Sequence, residues 1–130
     1  MFSRFLTSLF RVFRWSCGRL CHLQSECKAK QSIHGVVLNW KDLPGISVSQ
    51  PRVGVTIPHE VGHWLGLYHT FQGGCTGMGD FVSDTPPEQT GSRGCNLTRD
   101  TCTSEGLDPV TNIMDYSNDC CRTFFTNGQM

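Results

Sequence analysis

The stretch HEVGHWLGLYH at residues 59–69 combines three histidines with a glutamate, the residue types that bind and activate a divalent metal ion. His59 and His63 are four residues apart, so on an α-helix their imidazoles stand one turn apart on the same face. Both can then reach a single zinc ion at the zinc–nitrogen distance of about 2.0–2.1 Å. The spacing therefore predicts a zinc site on one face of a helix.

A third imidazole, that of His69, follows His63 by six residues and does not share the helical face. Gly66 lies between them, and because it lacks a Cβ it can adopt positive φ, end the helix and turn the chain sharply. Three neutral histidines leave the fourth zinc position open for water, as in catalytic zinc sites. Zinc lowers the pKa of that water toward about 7, and Glu60 on the ligand face is placed to accept its proton as general base.

A helix from about Val55 to Leu65 is needed to present these ligands. Its opposite face carries apolar residues whose spacing predicts burial in a core: Ile57, Val61, Trp64, Leu65 and Tyr68. If the helix begins near Thr56, Pro58 falls in the first turn and is tolerated. If it begins earlier, Pro58 removes a hydrogen bond at a cost of about 3 kcal/mol.

The composition indicates one small domain of 130 residues with enough hydrophobic residues, 38%, for a core. The 11 basic and 11 acidic side chains cancel, so no overall field favours nucleic acid, and no apolar run is long enough to span a membrane. Eight cysteines indicate an oxidising compartment. After residue 70 the abundance of glycine, aspartate, threonine, proline and cysteine predicts long loops that need cross-links or bound ions.

The charge is distributed unevenly along the chain. Residues 1–33 hold six basic side chains and one acidic side chain, together with half of the eight phenylalanines. This break predicts two parts, an N-terminal basic, Phe-rich segment at 1–33 and a domain at 34–130. VVLNW at 36–40 has the β-branched and aromatic residues of a short strand.

Four motifs narrow the interpretation: HEVGHWLGLYHTFQGGC at 59–75, GDFVSDTP at 79–86, GLDPVTNIMDYSNDCC at 106–121 and FFTNGQ at 124–129. Together they resemble the pappalysin family of metzincin zinc metalloproteases, the relatives of pregnancy-associated plasma protein-A, and most of all its fungal and bacterial extracellular members. The resemblance implies an α+β fold, a partial metzincin catalytic domain. It would hold the active-site helix and long disulfide-linked loops, be truncated at both ends and lack most of the upper β-sheet.

The same resemblance assigns roles to individual residues. It implies that the three histidines bind one zinc ion and that Glu60 is the general base. Met114 in NIMDY would be the Met-turn residue, whose thioether supports the ligands by packing. Tyr116 would lie near the metal and help to stabilise the tetrahedral intermediate. The alternative for Tyr116 is an aromatic side chain that only packs.

The cysteines of the domain also match the family pattern, which implies disulfides between Cys75 and Cys102 and between Cys95 and Cys121. Cys120 occupies a position that is not usually cysteine in this family. Spacing alone leaves the pairing open, because five cysteines allow many connectivities. Cys120 could therefore replace Cys121 or pair with a cysteine of the N-terminal segment.

Asp80, Asp84 and Thr85 lie in a loop rich in glycine and aspartate, and oxygen-rich loops of this kind suit calcium. Some pappalysin-like enzymes carry calcium in this region, so the resemblance implies Ca²⁺ as a second ion. The alternative is that the three residues form turns and cap loops.

The sequence thus predicts a zinc metalloendopeptidase that hydrolyses peptide bonds with a zinc-activated water and Glu60. We expect a protein or peptide substrate, a secreted monomer, no nucleic acid and no membrane span. The alternative is a catalytically silent fragment that binds zinc or a protein partner without cleaving it. A third interpretation, a membrane-active peptide led by the basic segment, depends on composition alone.

Overall fold

The computed structural model describes a continuous stretch and four residues that precede it: residues 54–130, Val36, Leu38, Leu43 and Pro44. The basic segment at 1–33, its boundary with the domain at 34–130 and most of the predicted strand at 36–40 lie outside these residues. The chain divides into two compact units, one ending at Gly66 and the other comprising Leu67–Met130. In the part that is described, no helix is long and apolar enough to cross a membrane.

Helix α1 spans Thr56–Leu65 in the first unit, within one residue of the predicted bounds. Val55 precedes it as the N-cap residue, and its carbonyl oxygen accepts the His59 N–H at 3.1 Å. Pro58 is the third helical residue, a position whose N–H would find no acceptor inside the helix. The proline therefore costs no helical hydrogen bond, which is the more favourable of the two cases considered above.

The C-terminal end of α1 turns at Gly66, which adopts the left-handed conformation with φ of 106°. Its N–H donates to the carbonyl oxygens of Gly62 and His63, which would otherwise lack partners at the helix end. A Cβ at this position would have no atom within 4 Å, so glycine is needed for its conformation and not for space. The predicted helix end at Gly66 is confirmed.

The buried side of α1 is the side that carries His59 and Gly62. The predicted burial of the apolar stripe is wrong at its C-terminal end, because Trp64 is 37% exposed and Leu65 is 63% exposed. At about 100° per residue Trp64 points away from His59 and Gly62, whereas Leu65 lies about 60° from Gly62, at the last residue of the helix. Ile57 and Val61, on the side opposite His59, are half-buried, so the exposure of the apolar stripe is confined to the last turn of the helix.

The second unit, which the structure describes throughout, consists mainly of turns and loops. Within Leu67–Met130 the regular structure is a 3-10 helix at Asn127–Gln129 and an isolated parallel bridge between Asn112 and Phe124. This agrees with the long loops predicted after residue 70. An α-helix followed by disulfide-linked loops accounts for part of the predicted α+β domain, and the described residues hold little sheet.

Two disulfides cross-link the loops, Cys75–Cys102 with Cα atoms 5.3 Å apart and Cys95–Cys121 with Cα atoms 5.8 Å apart. They are the same pairs that the resemblance implies. Each closes a loop of 26 or 27 residues, and cross-links of this span restrict the unfolded chain by roughly 3 kcal/mol or more. Cys120 is free and exposed, and its Sγ lies 3.7 Å from the Sγ atoms of both Cys95 and Cys121.

The interior of the second unit contains more polar than apolar side chains. Its buried apolar residues are Cys102, Val110, Ile113 and Met114. Its buried polar residues are Thr70, Asp80, Glu88, Ser92, Asp108, Asn112, Asp115 and Ser117. With so few apolar contacts, side-chain hydrogen bonds and disulfides must hold these loops in one conformation.

Candidate metal centre

In the first unit, α1 brings His59 and His63 together. Their ring centroids lie 4.7 Å apart with the rings perpendicular, and the side chain of His59 is buried. Backbone hydrogen bonds of the helix fix this spacing, since residues four apart lie one above the other. Two imidazoles in this arrangement can supply two ligands to one ion. Glu60 follows His59 directly on the same helix and is half-buried.

In the second unit, His69 lies within a group of aromatic rings. Its imidazole stacks on Phe71 with a centroid distance of 4.7 Å and an interplanar angle of 10°, and it meets Tyr116 edge-on, also at 4.7 Å. Phe71 and Tyr116 contact each other at 4.9 Å. These contacts limit the orientations open to the His69 ring.

Tyr116 contacts His69 and yet is 55% exposed. The contact agrees with both interpretations made from the sequence, a tyrosine near the metal and a packed aromatic residue. Gly91 makes room for this group: a Cβ there would lie 2.8 Å from Cε1 of Phe71 and 3.2 Å from Cβ of Tyr116. No pattern in the sequence indicates that Gly91 lies against these rings.

Met114 is fully buried, and polar groups hold its backbone. Its N–H donates to Asn112 Oδ1 at 2.8 Å, and its carbonyl oxygen accepts the Thr70 N–H at 3.4 Å. Asn112 itself donates from Nδ2 to Gln129 Oε1 at 2.8 Å. The segment proposed as the Met-turn is thus tied to the residue that follows His69.

A buried charge cluster, consisting of Glu88, Arg99, Asp108 and Asp115, occupies the interior of the second unit. The Arg99 guanidinium pairs with Glu88 at 2.7 Å and with Asp108 at 2.6 Å, and both carboxylates are fully buried. Burial raises the pKa of Glu88 to about 7; Asp115 and Asp108 add to the rise, and the Thr70 hydroxyl opposes it. One arginine therefore serves more than one carboxyl group, and Glu88 can hold a proton near neutral pH.

The sequence did not predict this cluster. Glu88, Arg99 and Asp108 lie in irregular loops, where charged residues 9 to 20 positions apart follow no helical or strand period. Their proximity depends on how the loops fold. No local signal in the sequence could have identified them.

The predicted calcium residues lie in turns of the second unit. Burial raises the pKa of Asp80, against the hydrogen bond that its Oδ1 accepts from the Val82 N–H at 3.0 Å, which lowers it. Asp84 accepts the Thr126 hydroxyl at 2.7 Å and the Gly128 N–H at 2.9 Å, and these bonds lower its pKa. Such contacts are typical of turn formers and loop caps, and calcium binding at these residues stays a prediction.

Most of the chain matches a known family of peptidases. Residues 16–130 match the peptidase family model described as Pregnancy-associated plasma protein-A. The chain belongs to this family. The resemblance inferred from the four motifs is thereby confirmed.

Curated relatives of the chain are fungal proteins named extracellular metalloproteases. One from Colletotrichum graminicola is 60% identical over 97 residues, which are 73% of this chain and 35% of the relative. One from Neurospora crassa is 54% identical over 113 residues, which are 84% of this chain and 40% of the relative. The chain therefore spans between about a third and two fifths of the length of these relatives.

A solved structure with a similar fold is mature mirolysin from Tannerella forsythia in complex with a cleaved peptide. The TM-score is 0.77 and the sequences are 34% identical. The match covers 92% of this chain and 48% of mirolysin. The described fold is therefore like that of a metalloprotease in this family.

Proposed function

We propose that the chain carries the zinc-binding part of a metalloendopeptidase that hydrolyses peptide bonds in proteins. The observation that carries this proposal is the pair of facing imidazoles of His59 and His63 on α1, within HEVGHWLGLYH, in a member of a peptidase family. His69 is the proposed third ligand, supported by the turn at Gly66 and by the rings that restrict its imidazole. Three imidazoles form a donor set that suits a catalytic zinc ion.

Zinc, when bound, would polarise the scissile carbonyl and acidify a water molecule. Glu60 would accept the proton of the attacking water and deliver it to the nitrogen of the leaving amine. The Tyr116 hydroxyl would donate a hydrogen bond to the oxyanion that develops on the carbonyl. Its 55% exposure supports this role, because a buried hydroxyl could not reach a substrate.

Two further roles belong to the same proposal. Met114 acts as the Met-turn residue, supported by its complete burial and by the bond from Thr70 to its carbonyl oxygen. Asp80, Asp84 and Thr85 form a secondary calcium site, supported by the preference of calcium for carboxylate and hydroxyl oxygens. Asp84 would then bind calcium alongside, or in place of, its present hydrogen-bond donors.

The proposed setting is extracellular, with a protein or peptide as substrate and the chain acting as a monomer. The names of the fungal relatives support secretion, and the two disulfides are of the kind that persists in oxidising compartments. The balance of 11 basic and 11 acidic residues supports no role for nucleic acid. A second candidate is zinc binding without cleavage, since the imidazoles that would hold the ion do not by themselves bind a substrate.

The experiment is to refold the full chain under oxidising conditions and to measure zinc content together with cleavage of a denatured protein. Glu60→Ala should retain zinc and lose cleavage, because it removes the proton acceptor and no ligand. Glu105→Ala is the matched control, since Glu105 is an exposed loop glutamate, and it should cleave like the wild-type chain. Zinc binding without cleavage in all three proteins would favour the second candidate, and absence of zinc would refute both.

A further inference from the structure

The carboxyl group of Glu88 joins segments of the second unit that are distant in sequence, and it is fully buried. Its Oε1 accepts the Thr70 hydroxyl at 2.6 Å, and its Oε2 accepts the Ser92 hydroxyl at 3.2 Å. Ser92 also donates its backbone N–H to Asp115 Oδ1 at 2.9 Å. One network of hydrogen bonds thus runs from Thr70 through Glu88 and Ser92 to Asp115.

Both ends of this network adjoin residues of the proposed site. Thr70 directly follows His69, and its N–H donates to the Met114 carbonyl oxygen at 3.4 Å. Asp115 stands between Met114 and Tyr116, and the Tyr116 ring contacts His69. The third proposed ligand and the proposed Met-turn are therefore each one residue away from a side chain that the network holds.

Asp115 also lies close enough to Glu88 to raise the pKa of Glu88, after burial as the main cause. Two carboxyl groups can share a hydrogen bond only if one of them keeps a proton. Asp115 Oδ2 is buried and has no hydrogen-bond partner, so a protonated Glu88 could donate to it. The Arg99 guanidinium donates to Glu88 Oε2 at 2.7 Å and pairs with the Asp108 carboxylate at 2.6 Å.

We propose that Glu88 is a positioning residue for the metal site, which fixes His69 through Thr70 and the segment 114–116 through Asp115. The inference rests on the proposed function, since His69 matters here as a zinc ligand. Glu88 acts through its neighbours and takes no part in the proton transfers assigned to Glu60. Partners of this kind, which orient a ligand from outside, typically contribute roughly 10–100-fold to metal affinity.

Thr70→Val tests the contact with little change in shape, because a methyl group replaces the hydroxyl. Thr101→Val is the matched control, since that hydroxyl also donates to a buried carboxylate, Asp108, at 2.9 Å. The other partner of the Thr101 hydroxyl is the Gln89 N–H, outside the segments around His69 and Met114. Zinc dissociation constants are measured on the refolded full-length proteins by competition with a chelating indicator.

We expect Thr70→Val to weaken zinc binding roughly 10–100-fold and Thr101→Val to leave it unchanged. Glu88→Ala should weaken binding like Thr70→Val. Glu88→Gln should weaken binding less than Glu88→Ala, because the amide oxygen can still accept from the Thr70 hydroxyl. Equal weakening by the two threonine variants, or full affinity in Glu88→Ala, would overturn the inference.

Hydrogen exchange in the zinc-free proteins separates this inference from the proposed function. In the absence of metal, amides of residues 69–71 and 114–116 should exchange faster in Thr70→Val than in Thr101→Val. A wild-type chain that takes up no zinc would refute the proposed function and the role of Glu88 in metal binding. Unchanged exchange in Thr70→Val would refute the positioning itself.

Discussion

Helix α1 and the loops of the second unit orient their site residues by different means. In α1 the imidazoles of His59 and His63 lie 4.7 Å apart because helical geometry places residues four apart on one side. In the second unit His69 and Met114 depend on stacked rings and on hydrogen bonds to buried polar groups. The first arrangement is local in sequence, and the second exists only when distant loops meet.

This difference predicts where substitutions are tolerated. Exposed residues of α1 can change with little cost as long as the helix persists. In the second unit a single buried polar side chain serves several loops, so its loss should affect all of them. Substitutions in the two regions should therefore differ in their effect on stability.

Arg99→Met should lower the free energy of unfolding by about 3–5 kcal/mol, because it leaves buried carboxylates without their counter-charge. Arg99 pairs with Glu88 and Asp108, which are both fully buried. Urea denaturation of the zinc-free chain measures the change. Arg93→Met, at an exposed arginine of the neighbouring loop, is the control and should stay within about 0.5 kcal/mol of wild type. A similar loss of stability in Arg99→Met and Arg93→Met would contradict the proposed importance of buried polar side chains in the second unit.

Stability should fall as the pH rises from about 4.5 to about 7, because the folded protein keeps a proton on Glu88 that the unfolded chain releases. The stabilisation is complete below the ordinary pKa of 4.5 and is lost as the pH passes the folded value of about 7. The difference is on the order of 3 kcal/mol. The groups around Glu88 are Arg99, Asp108 and Asp115.

The measurement is the free energy of unfolding of the zinc-free chain at pH 4.5 and pH 8, compared with Glu88→Gln. The glutamine variant cannot lose a proton, so its stability should fall less over this range. Parallel curves for the two proteins would show that Glu88 is already ionised at low pH.

Gly91→Ala should destabilise the second unit by about 1–3 kcal/mol, the usual cost of overpacking. The added Cβ would lie 2.8 Å from Phe71, the ring on which His69 stacks. Thermal unfolding measures the loss, and near-ultraviolet circular dichroism reports on the rings. Adding Phe71→Leu, a smaller side chain, should recover part of the stability; no recovery would place the strain elsewhere.

Leu65→Ala should change stability by less than about 0.5 kcal/mol, since Leu65 is 63% exposed in the last turn of α1. Met114→Ala is the counterpart in the second unit, where complete burial predicts a loss of about 2–5 kcal/mol. Urea denaturation measures the free energy of unfolding of both variants. A loss at Leu65 as large as that at Met114 would show that α1 also depends on apolar packing.

The sequence predicted helix α1 more fully than it predicted the loops of the second unit. The bounds of α1, its end at Gly66 and the pairing of His59 with His63 could be predicted because each depends on residues a few positions apart. The burial of Leu65 was predicted wrongly, because an apolar stripe does not reveal which side of a helix meets a partner. The sequence predicted a metal site on the side that carries the imidazoles, but it did not predict that this side would be buried.

In the second unit, the residues alone predicted long loops and the need for cross-links between them. The pairing of Cys75 with Cys102 came from resemblance to a family, since spacing allows other pairs. The contacts of Glu88 with Thr70 and Arg99 join positions 18 and 11 residues away through irregular loops. Such contacts carry no periodic pattern, so only the folded chain reveals them.

The position of Cys120 has a consequence for handling the protein. Its thiol lies 3.7 Å from both sulfurs of the Cys95–Cys121 bridge, so its thiolate can attack Cys95 Sγ and release Cys121 as the new thiolate. This isomerisation needs no oxidant and leaves the intact mass unchanged. Purified samples should therefore be quenched with acid before peptide mapping, and storage at low pH should preserve whichever bridge formed during refolding.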